Sequence, residues 1–181
     1  MEMMNVVRAR RESAGRYRTR QYRGSFFARI FWGEDMNRKN YLLRKATLED
    51  YDFIYGVKKR TLRNHIEKIW GWDEEYQKKD FSENFIPSRN NIILVNDVNI
   101  GILEVAEEDK ITYITELEIL PEFQGKGIGS AVIKDILKDG KEKGKKVKIG
   151  CFKINEGAKS LYLRLGLKIV DETKTHFIFE S

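Results

Sequence analysis

The glycine-rich segment from Gln124 to Ser130 has the composition and spacing of a phosphate-binding loop. Glycines stand at every second position within it, at Gly125, Gly127 and Gly129. Glycine lets the backbone come close to a ligand and adopt conformations that other residues avoid. The apolar spacing that follows predicts a helix, and a helix N-terminus presents unpaired N–H groups and the positive end of a dipole. The segment therefore predicts a site for a phosphate group.

The loop does not fit two common nucleotide-binding patterns. The dinucleotide pattern requires G-x-G-x-x-G at the start of a βαβ unit, and neither the spacing nor the position agrees here. The P-loop pattern closes on Gly-Lys-Ser or Gly-Lys-Thr, which does not occur in this chain. From the residues alone, a tight glycine turn before a helix, without any ligand, remains an alternative.

A third pattern does fit the loop. Gln124 to Gly129 resembles the Q/R-x-x-G-x-G/A motif of the GNAT superfamily of N-acetyltransferases, in which the loop amides hold the pyrophosphate of acetyl-CoA. The resemblance implies that acetyl-CoA is the acyl donor of this chain. The loop residues implied to bind it are Gln124, Gly125, Lys126, Gly127, Ile128, Gly129 and Ser130.

A second segment, Asn155 to Leu167, supports the same resemblance. It is similar to the GNAT pattern N-x-x-A-x-x-L-Y-x-x-L-G-F, with Leu167 in place of the usual Phe. Asn155 is a good helix N-cap, Tyr162 falls on the apolar helical face, and Gly166 suits the position just after the helix. The two motifs occur in the family's order, and the resemblance extends over roughly residues 40 to 181.

Tyr162 is the candidate general acid. A tyrosine phenol, with a reference pKa of ~10, is close enough in acidity to protonate a departing CoA thiolate, for which the thiol reference value is ~8.5. From spacing alone, an aromatic residue of the core is the simpler interpretation. The resemblance implies the catalytic role, because tyrosine at this motif position is the usual general acid of the family.

The candidate general base is Glu118. A primary amine, with a reference pKa of ~10.4, must lose a proton before it attacks the thioester. Glu116 and Glu118 alternate along one predicted strand and should share a face, unless the bulge at which GNAT enzymes splay their fourth and fifth strands changes the parity. The positions of the base in other relatives hold Tyr113 and Gly150, and neither is a carboxylate. A water chain as base, or solvated carboxylates without a role, remain open alternatives.

Further contacts follow from the resemblance. It implies that backbone groups of Leu117, Glu118 and Ile119 bind the pantetheine arm, and that Asn155 contacts it as well. Three aromatic residues are expected where the first two helices border the acceptor cleft, either shaping that cleft or packing the helices together: Trp70, Trp72 and Tyr76.

The elements that must position these residues alternate between strands and helices. Periodicity and turn residues predict the order β-α-α-β-β-β-α-β-α-β-β, which is a mixed α/β (α+β) fold with about seven strands in a central sheet and four helices. Helices are predicted to begin at Thr47, with Asp50 completing a capping box, and at Asp73. A hairpin turn is predicted around Asn96-Asp97-Val98. This order of elements is the order of the GNAT fold.

The composition is that of one soluble domain. The 181 residues are 41% apolar and 34% charged, which suits a single core with a soluble surface. No apolar run approaches the ~20 residues that span a bilayer, so we expect no membrane partner. The single cysteine, Cys151, excludes an internal disulfide framework and suits a reducing cytoplasm. One cysteine and two histidines argue against a structural metal site. We expect a cytoplasmic monomer or homodimer without metal, in which Cys151 is a small buried residue.

Residues 1–35 differ in composition from the rest of the chain. Their basic residues are all arginine, whereas lysine predominates from Met36 onward. They supply most of the net charge of +6, so we expect no nucleic-acid partner for the remaining domain. Codons for the Gly33-Glu34 pair can contain the core of a bacterial ribosome-binding site, just upstream of the codon for Met36. This favours the hypothesis that residues 1–35 are a non-native or disordered extension and that residues 36–181 are the acetyltransferase domain. The alternatives are an arginine-rich nucleic-acid arm and a targeting peptide.

Two classes of function compete for this chain. The resemblance implies an enzyme that moves an acetyl group from acetyl-CoA to a primary amine by direct attack, with no acyl-enzyme. The alternative is a non-catalytic acyl-CoA-binding or regulatory module on the same fold, because fold does not determine function. Tyr162 and the intact glycine loop favour the enzyme. The acceptor is expected to be a small-molecule or peptide amine, which the sequence does not identify.

Overall fold

The computed structural model describes residues 40–181, which form seven strands and four helices. Residues 1–39 lie outside this range, and with them the predicted extension 1–35. In chain order the elements are β1 (Leu42–Lys45), α1 (Tyr51–Trp70), α2 (Glu74–Asn84), β2 (Asn90–Val95), β3 (Val98–Glu107), β4 (Ile111–Ile119), α3 (Ile128–Glu142), β5 (Lys146–Phe152), α4 (Glu156–Arg164), β6 (Lys168–Glu172) and β7 (His176–Glu180).

The strands form one mixed sheet in the order β1-β2-β3-β4-β5-β7-β6. β4 and β5 run parallel, and the other neighbouring strands are antiparallel. The predicted fold class and the predicted order of elements are both confirmed. No helix between residues 40 and 181 combines the length and the apolar character that a membrane span requires.

Helices cover both faces of the sheet. On one face, Val132 of α3 packs in the same buried cluster as Leu103 of β3. On the other face, Val57 of α1 packs with Ile102 of β3. Ile102 and Leu103 are neighbours in sequence and point to opposite faces, as the period of two along a strand requires. The chain thus has an α1/α2 side and an α3/α4 side, and the central strands are buried on both.

The predicted helix starts are capped as their residue types suggest. The carboxylate of Asp50 accepts the backbone N–H of Thr47 at 2.8 Å. The first turn there, Leu48–Asp50, is a short 3-10 helix, so the α-helix itself begins at Tyr51, four residues after the predicted start at Thr47. The side-chain oxygens of Asp73 and Asn155 each accept the backbone N–H of the third residue beyond them, both at 3.0 Å. These bonds satisfy donors that a helix leaves without partners at its N-terminus.

The β2–β3 hairpin is tighter than the predicted three-residue turn. Val95 pairs with Val98, so only two residues form the turn. These residues, Asn96 and Asp97, have φ values of 49° and 61°, in the left-handed region. Asn and Asp tolerate this region better than other non-glycine residues, and two such residues in succession give the turn that matches the twist of antiparallel strands.

Candidate active site

A β-bulge in β4 precedes both candidate carboxylates. The pairing of β3 with β4 shifts by one residue, and Thr115 is the extra residue of β4. Its hydroxyl donates to the backbone oxygen of Glu104 at 3.1 Å, which ties the bulge to β3. The register is regular beyond this point, so Glu116 and Glu118 share one face of β4. That face is the α1/α2 side, because Glu116 contacts Lys58 of α1. The bulge therefore leaves the predicted parity intact.

β4 and β5 separate where the bulge begins. Their parallel pairing joins Ile111–Ile114 of β4 to Lys146–Ile149 of β5. Beyond it, β4 continues to Ile119 and β5 to Phe152 without pairing to each other. The predicted splay of the fourth and fifth strands is thus present. It opens a gap in the middle of the sheet, with strand backbone along both of its edges.

This gap contains a cavity of about 460 Å³, including its mouth. Glu118 from β4, Asn155 at the start of α4 and Tyr162 near the end of α4 all line it, and so does Leu117. The structure therefore brings the predicted base, the predicted acid and two predicted pantetheine contacts to one place. They meet because β4 and α4 flank the same gap.

Tyr162 belongs to both the core and the cavity. Its side chain is buried, with 6% exposed, and its ring meets that of Phe179 edge to face at 5.2 Å between centroids. The backbone oxygen of Tyr162 accepts the N–H groups of Leu165 and Leu167, at 3.1 Å each, which caps the C-terminal end of α4. The core interpretation and the cavity interpretation are therefore compatible, and a ring locked by packing is well suited to hold a hydroxyl in a defined position.

The glycine loop adopts the backbone conformations for which glycine is needed. Gly125 and Gly127 have φ values of +73° and +81°. A Cβ added to either would meet no heavy atom within 4 Å, so the requirement is for the dihedral angle and not for space inside the protein. Gly127 is the N-cap of α3, and the first-turn amides of that helix have no partners within it. The open side of the loop suits a phosphate group.

Side chains around the loop fix its position. Gln124 donates from Nε2 to the backbone oxygen of Ile119 at 2.7 Å, which ties the loop to the end of β4. The side chain of Ile119 lies under α3, because a Cβ on Gly129 would meet its Cδ1 at 3.5 Å. Lys126 places its ammonium 5.2 Å from the centroid of the Phe123 ring. Its charge therefore rests beside an aromatic ring, and its backbone amide is the group it offers to the loop.

A second and larger cavity, of about 1020 Å³ including its opening to solvent, lies on the α1/α2 side. Trp70, Trp72 and Tyr76, which were predicted to border an acceptor cleft, line this cavity. They also pack: the Trp70 ring contacts that of Phe152 at 6.0 Å between centroids. Leu62 lines both cavities, so the two lie side by side.

Comparison with known proteins decides the family. The sequence model of the acetyltransferase (GNAT) family matches residues 49–167, which is more than half of the chain. The chain belongs to the GNAT family of acetyltransferases. A comparison with curated proteins finds no match.

Solved structures agree with the GNAT fold. The PaiA N-acetyltransferase of Thermoplasma acidophilum, in complex with coenzyme A, superposes with a TM-score of 0.64 at 20% identity, over 78% of this chain and 98% of that one. The ribosomal-protein-S18-alanine N-acetyltransferase of Escherichia coli gives 0.57 at 16%, over 77% and 92%. Arabidopsis thaliana Naa50, in complex with the bisubstrate analogue CoA-Ac-MVNAL, gives 0.53 at 16%, over 78% and 98%. At these identities the likeness establishes the fold.

The other positions that hold a base in GNAT relatives are poor candidates here. Tyr113 is buried and donates to Glu108 at 3.4 Å. Burial, together with the Glu108 carboxylate, raises the pKa of Tyr113 above its ordinary value, so the phenol keeps its proton. Tyr113 lines neither cavity. Gly150 does line the smaller one but has no side chain.

Tyr55 and Lys59 of α1, which line the larger cavity, bond to Glu74 at the start of α2. Burial and a hydrogen bond of 3.0 Å to the Glu74 carboxylate raise the pKa of Tyr55 to about 12. Bonds from Lys59 at 2.7 Å and from the Trp72 indole at 2.9 Å lower the pKa of Glu74 to about 2. At neutral pH the phenol therefore stays protonated and Glu74 stays an anion, and all three bonds to Glu74 persist.

Two residues that line the smaller cavity were not predicted from the sequence. His65 and Thr61, both on α1, line it together with Glu118 and Tyr162. The ring of His65 stacks on Phe152, with 5.5 Å between centroids. His65 belongs to no recognisable local motif. The only sequence feature that could have pointed to it is that histidine is rare in this chain, which has two.

Cys151 also lines the smaller cavity and is buried, as expected for a small core residue. Between residues 40 and 181 no group of three or more His, Cys, Asp or Glu side chains is arranged to hold a metal ion.

Proposed function

We propose that this protein transfers an acetyl group from acetyl-CoA to a primary amine by direct attack. The observation that carries the proposal is the meeting of Glu118 and Tyr162 in the gap between β4 and β5. The gap lies between the glycine loop, at the end of β4, and the N-terminus of α4. A carboxylate and a phenol on one cavity can serve as the base and the acid of an acyl transfer.

The donor would bind along the edge of the gap. The amides of the loop from Gly125 to Ser130 would hold the pyrophosphate, since they stand at the N-terminus of α3. The backbone of Leu117 to Ile119 does not pair with β5 and is available to the pantetheine arm. Asn155 uses Oδ1 for its N-cap bond, which leaves its Nδ2 as a donor to the same arm. The thioester would then lie in the cavity that Tyr162 lines.

The reaction would proceed in one active site without a covalent enzyme intermediate. Glu118 accepts a proton from the ammonium form of the acceptor, directly or through a water molecule. The neutral amine attacks the thioester carbonyl, and a backbone N–H of β4 stabilises the oxyanion of the tetrahedral intermediate. The C–S bond then breaks, and Tyr162 gives its proton to the leaving thiolate. The attacking nitrogen gives up its surplus proton to the Tyr162 phenolate, directly or through a water molecule, and Glu118 releases the proton that it accepted to solvent. The products are the amide and CoA.

A non-catalytic acyl-CoA-binding or regulatory module is the second candidate. It would share the loop and the gap, but would have no need of a carboxylate and a phenol on the same cavity. A single-turnover assay with acetyl-CoA and a panel of small amines and peptide N-termini separates the two. Release of the CoA thiol that depends on the amine supports the enzyme, whereas tight binding of acetyl-CoA without thiol release from any amine supports the module.

A further inference from the structure

One imidazole shares the smaller cavity with the proposed acid and base. His65, on α1, lines this cavity together with Glu118 of β4 and Tyr162 of α4. Three elements thus supply an imidazole, a carboxylate and a phenol to one space. The proposed reaction uses the carboxylate and the phenol and gives the imidazole no part, although imidazole is the side chain that most often moves protons near neutral pH.

The ring of His65 is held in place by packing. It contacts the ring of Phe152 at 5.5 Å between centroids, and Phe152 is fully buried. Phe152 is itself held by the rings of His176, at 4.4 Å, and Trp70, at 6.0 Å. His65 is partly exposed, and its neighbour Asn64 is exposed. A ring that rests on the core in a defined orientation, with solvent close by, is well placed to carry a proton out of the cavity.

Thr61 adds a hydrogen-bond acceptor beside His65. Both residues line the smaller cavity, and residues four apart on a helix are neighbours on one face. The Thr61 hydroxyl donates to the backbone oxygen of Val57 at 2.9 Å. A hydroxyl has one proton to donate and two lone pairs that accept, so Thr61 can still accept from a donor in the cavity. A water molecule between Glu118 and His65 would find such an acceptor there.

The titratable groups around His65 come from four other elements. Three share the cavity and one lies on the far side of the Phe152 ring: Glu118 of β4, Cys151 of β5, Tyr162 of α4, and His176 of β7. Thiols and phenols, with reference pKa values of ~8.5 and ~10, are neutral at neutral pH, so among the described residues of the cavity lining Glu118 supplies the negative charge. The charged residues of α1 within three positions of His65 are all exposed: Arg63, Glu67 and Lys68.

We infer that His65 is the proton relay of the proposed acetyl transfer. Glu118 takes a proton from the acceptor ammonium and passes it to the unprotonated nitrogen of the His65 ring, directly or through a water molecule. The imidazolium then releases the proton to solvent, so both residues return to their starting states. Transfer from a carboxyl group, with a reference pKa of ~4.3, to an imidazole, with ~6.5, is favourable. This inference rests on the proposed acetyl transfer and adds a residue to its chemistry.

Two replacements of His65 separate a relay from a packing role. His65→Phe keeps an aromatic ring against Phe152 and removes both nitrogens, whereas His65→Gln removes the ring and keeps a polar group that does not titrate. A relay predicts that both variants lower kcat, measured by CoA thiol release at saturating acetyl-CoA and amine, by roughly 10²-fold, the low end for a group that transfers protons. A packing role predicts nearly normal kcat for His65→Phe, and that result overturns the inference.

The pH dependence of kcat is a second readout. A relay needs a neutral imidazole, so the kcat of the wild type should decline as the pH falls below about 6.5, the imidazole reference value. In both His65 variants the decline should move toward about 4.3, the carboxyl value. His176→Gln is the matched control, because His176 lines neither cavity, and the decline should stay where it is in the wild type. A decline that does not move in either His65 variant overturns the inference.

An NMR titration of the two imidazole rings in the full chain separates this inference from the proposed function, because it needs no turnover. Glu118→Gln should lower the pKa of His65 by about 1, since a nearby carboxylate stabilises the imidazolium. An unchanged pKa overturns the inference whether or not any amine is acetylated. If the pKa falls but no amine is acetylated, the proposed transfer is wrong and the coupled pair of Glu118 and His65 stands. If amines are acetylated and both His65 variants keep the kcat of the wild type, the transfer stands and the relay is wrong.

Discussion

Glu118 and Tyr162 lie far apart in the chain, on a strand and on a helix, yet both line the cavity between β4 and β5. Tyr162 is positioned by packing, because its ring is wedged against Phe179 in the core. Glu118 is positioned by register, because the bulge at Thr115 ends before it and the strand is regular beyond. Core packing therefore positions the proposed acid, whereas strand register positions the proposed base.

Replacement of Tyr162 by Phe tests the proposed acid. The change keeps the ring and its packing and removes the hydroxyl that would protonate the thiolate. We expect the turnover number to fall by roughly 10²- to 10⁴-fold, the usual contribution of a general acid. The affinity for CoA should barely change, and the free energy of unfolding should change by no more than about 1 kcal/mol, the net worth of one hydrogen bond.

Tyr113→Phe is the matched control for this variant. Tyr113 is also a buried tyrosine with a bonded hydroxyl, but it lines neither cavity, so its turnover should match that of the wild type. Normal turnover of Tyr162→Phe at neutral and at alkaline pH would restore the interpretation of Tyr162 as a core residue alone.

At the scale of elements, the junction of β4, the glycine loop and α3 forms the proposed donor site. The loop is tied to β4 by Gln124 and enters the helix through Gly127 in the left-handed region. Gly101 of β3 lets the neighbouring strand come close, because a Cβ there would lie 2.3 Å from the backbone oxygen of Glu118. The backbone at the cavity is thus set by glycines on two different elements.

Gly127→Asp should abolish the binding of acetyl-CoA. The substitution puts a side chain and a negative charge at the helix N-terminus where the pyrophosphate would lie. Acetyl-CoA should raise the melting temperature of the wild type, since a ligand that binds the folded state stabilises it, and should leave that of the variant unchanged. Thermal unfolding with and without acetyl-CoA measures both.

Gly144→Asp is the control for the backbone strain and the negative charge that Gly127→Asp introduces. Gly144 also has a positive φ, of +65°, and open space around an added Cβ, but it lies in the turn between α3 and β5. This variant should lose some stability and keep the full shift with acetyl-CoA. An undiminished shift in Gly127→Asp would remove the loop from the donor site.

At the scale of the whole molecule, one ion pair ties β1 to the start of α1. Arg44 donates to both carboxylate oxygens of Asp50, at 2.8 and 2.6 Å, and Asp50 is buried. These bonds, followed by the bond from the Thr47 amide, lower the pKa of Asp50 from its ordinary 3.8 to about 2. A carboxyl whose pKa is lower in the folded state stabilises the fold when it is ionised.

The stability of the fold should therefore depend on Asp50 in a defined pH window. Its contribution should be present in full above the ordinary pKa of 3.8 and should vanish as the pH falls through about 2. We expect Asp50→Asn to lower the free energy of unfolding by about 1–2 kcal/mol at neutral pH, after allowance for the exposure of Arg44. Urea unfolding across this window measures the difference in the free energy of unfolding, which should disappear below pH 2.

Asp109→Asn is the control, because Asp109 is exposed, and the free energy of unfolding that it loses or gains should not change across this window. If Asp50→Asn is less stable than the wild type by the same amount at every pH, the cause is not the charge of Asp50.

The segment before the described residues bears on the whole molecule as well. Residues 40–181 form seven strands and four helices among themselves, so a chain that begins at Met36 should retain this fold. We expect its melting temperature and its affinity for acetyl-CoA to equal those of the full chain. A large loss of stability, or a severalfold loss of activity, would instead favour a functional arm in residues 1–35.

Features that depend on a few neighbouring residues could be predicted from the sequence. The glycine loop, the caps at Asp73 and Asn155 and the order of elements all follow from local spacing and residue type, because a helix turn or a tight turn closes within four or five residues. The family resemblance rested on two such local segments, and the family match spans both.

The point at which β4 and β5 separate, and the side chains that lie opposite each other across the sheet, could be read only from the tertiary structure. The bulge at Thr115, the close approach of Gly101 to Glu118 and the place of His65 all depend on the register between strands or on packing between distant elements. A shift of one residue in register would carry every side chain of a strand to the opposite face, and no local pattern determines where a bulge falls. The chemistry available to single residues could therefore be predicted from the sequence. Their assembly into cavities could not, because it depends on pairing between segments that are far apart in the chain.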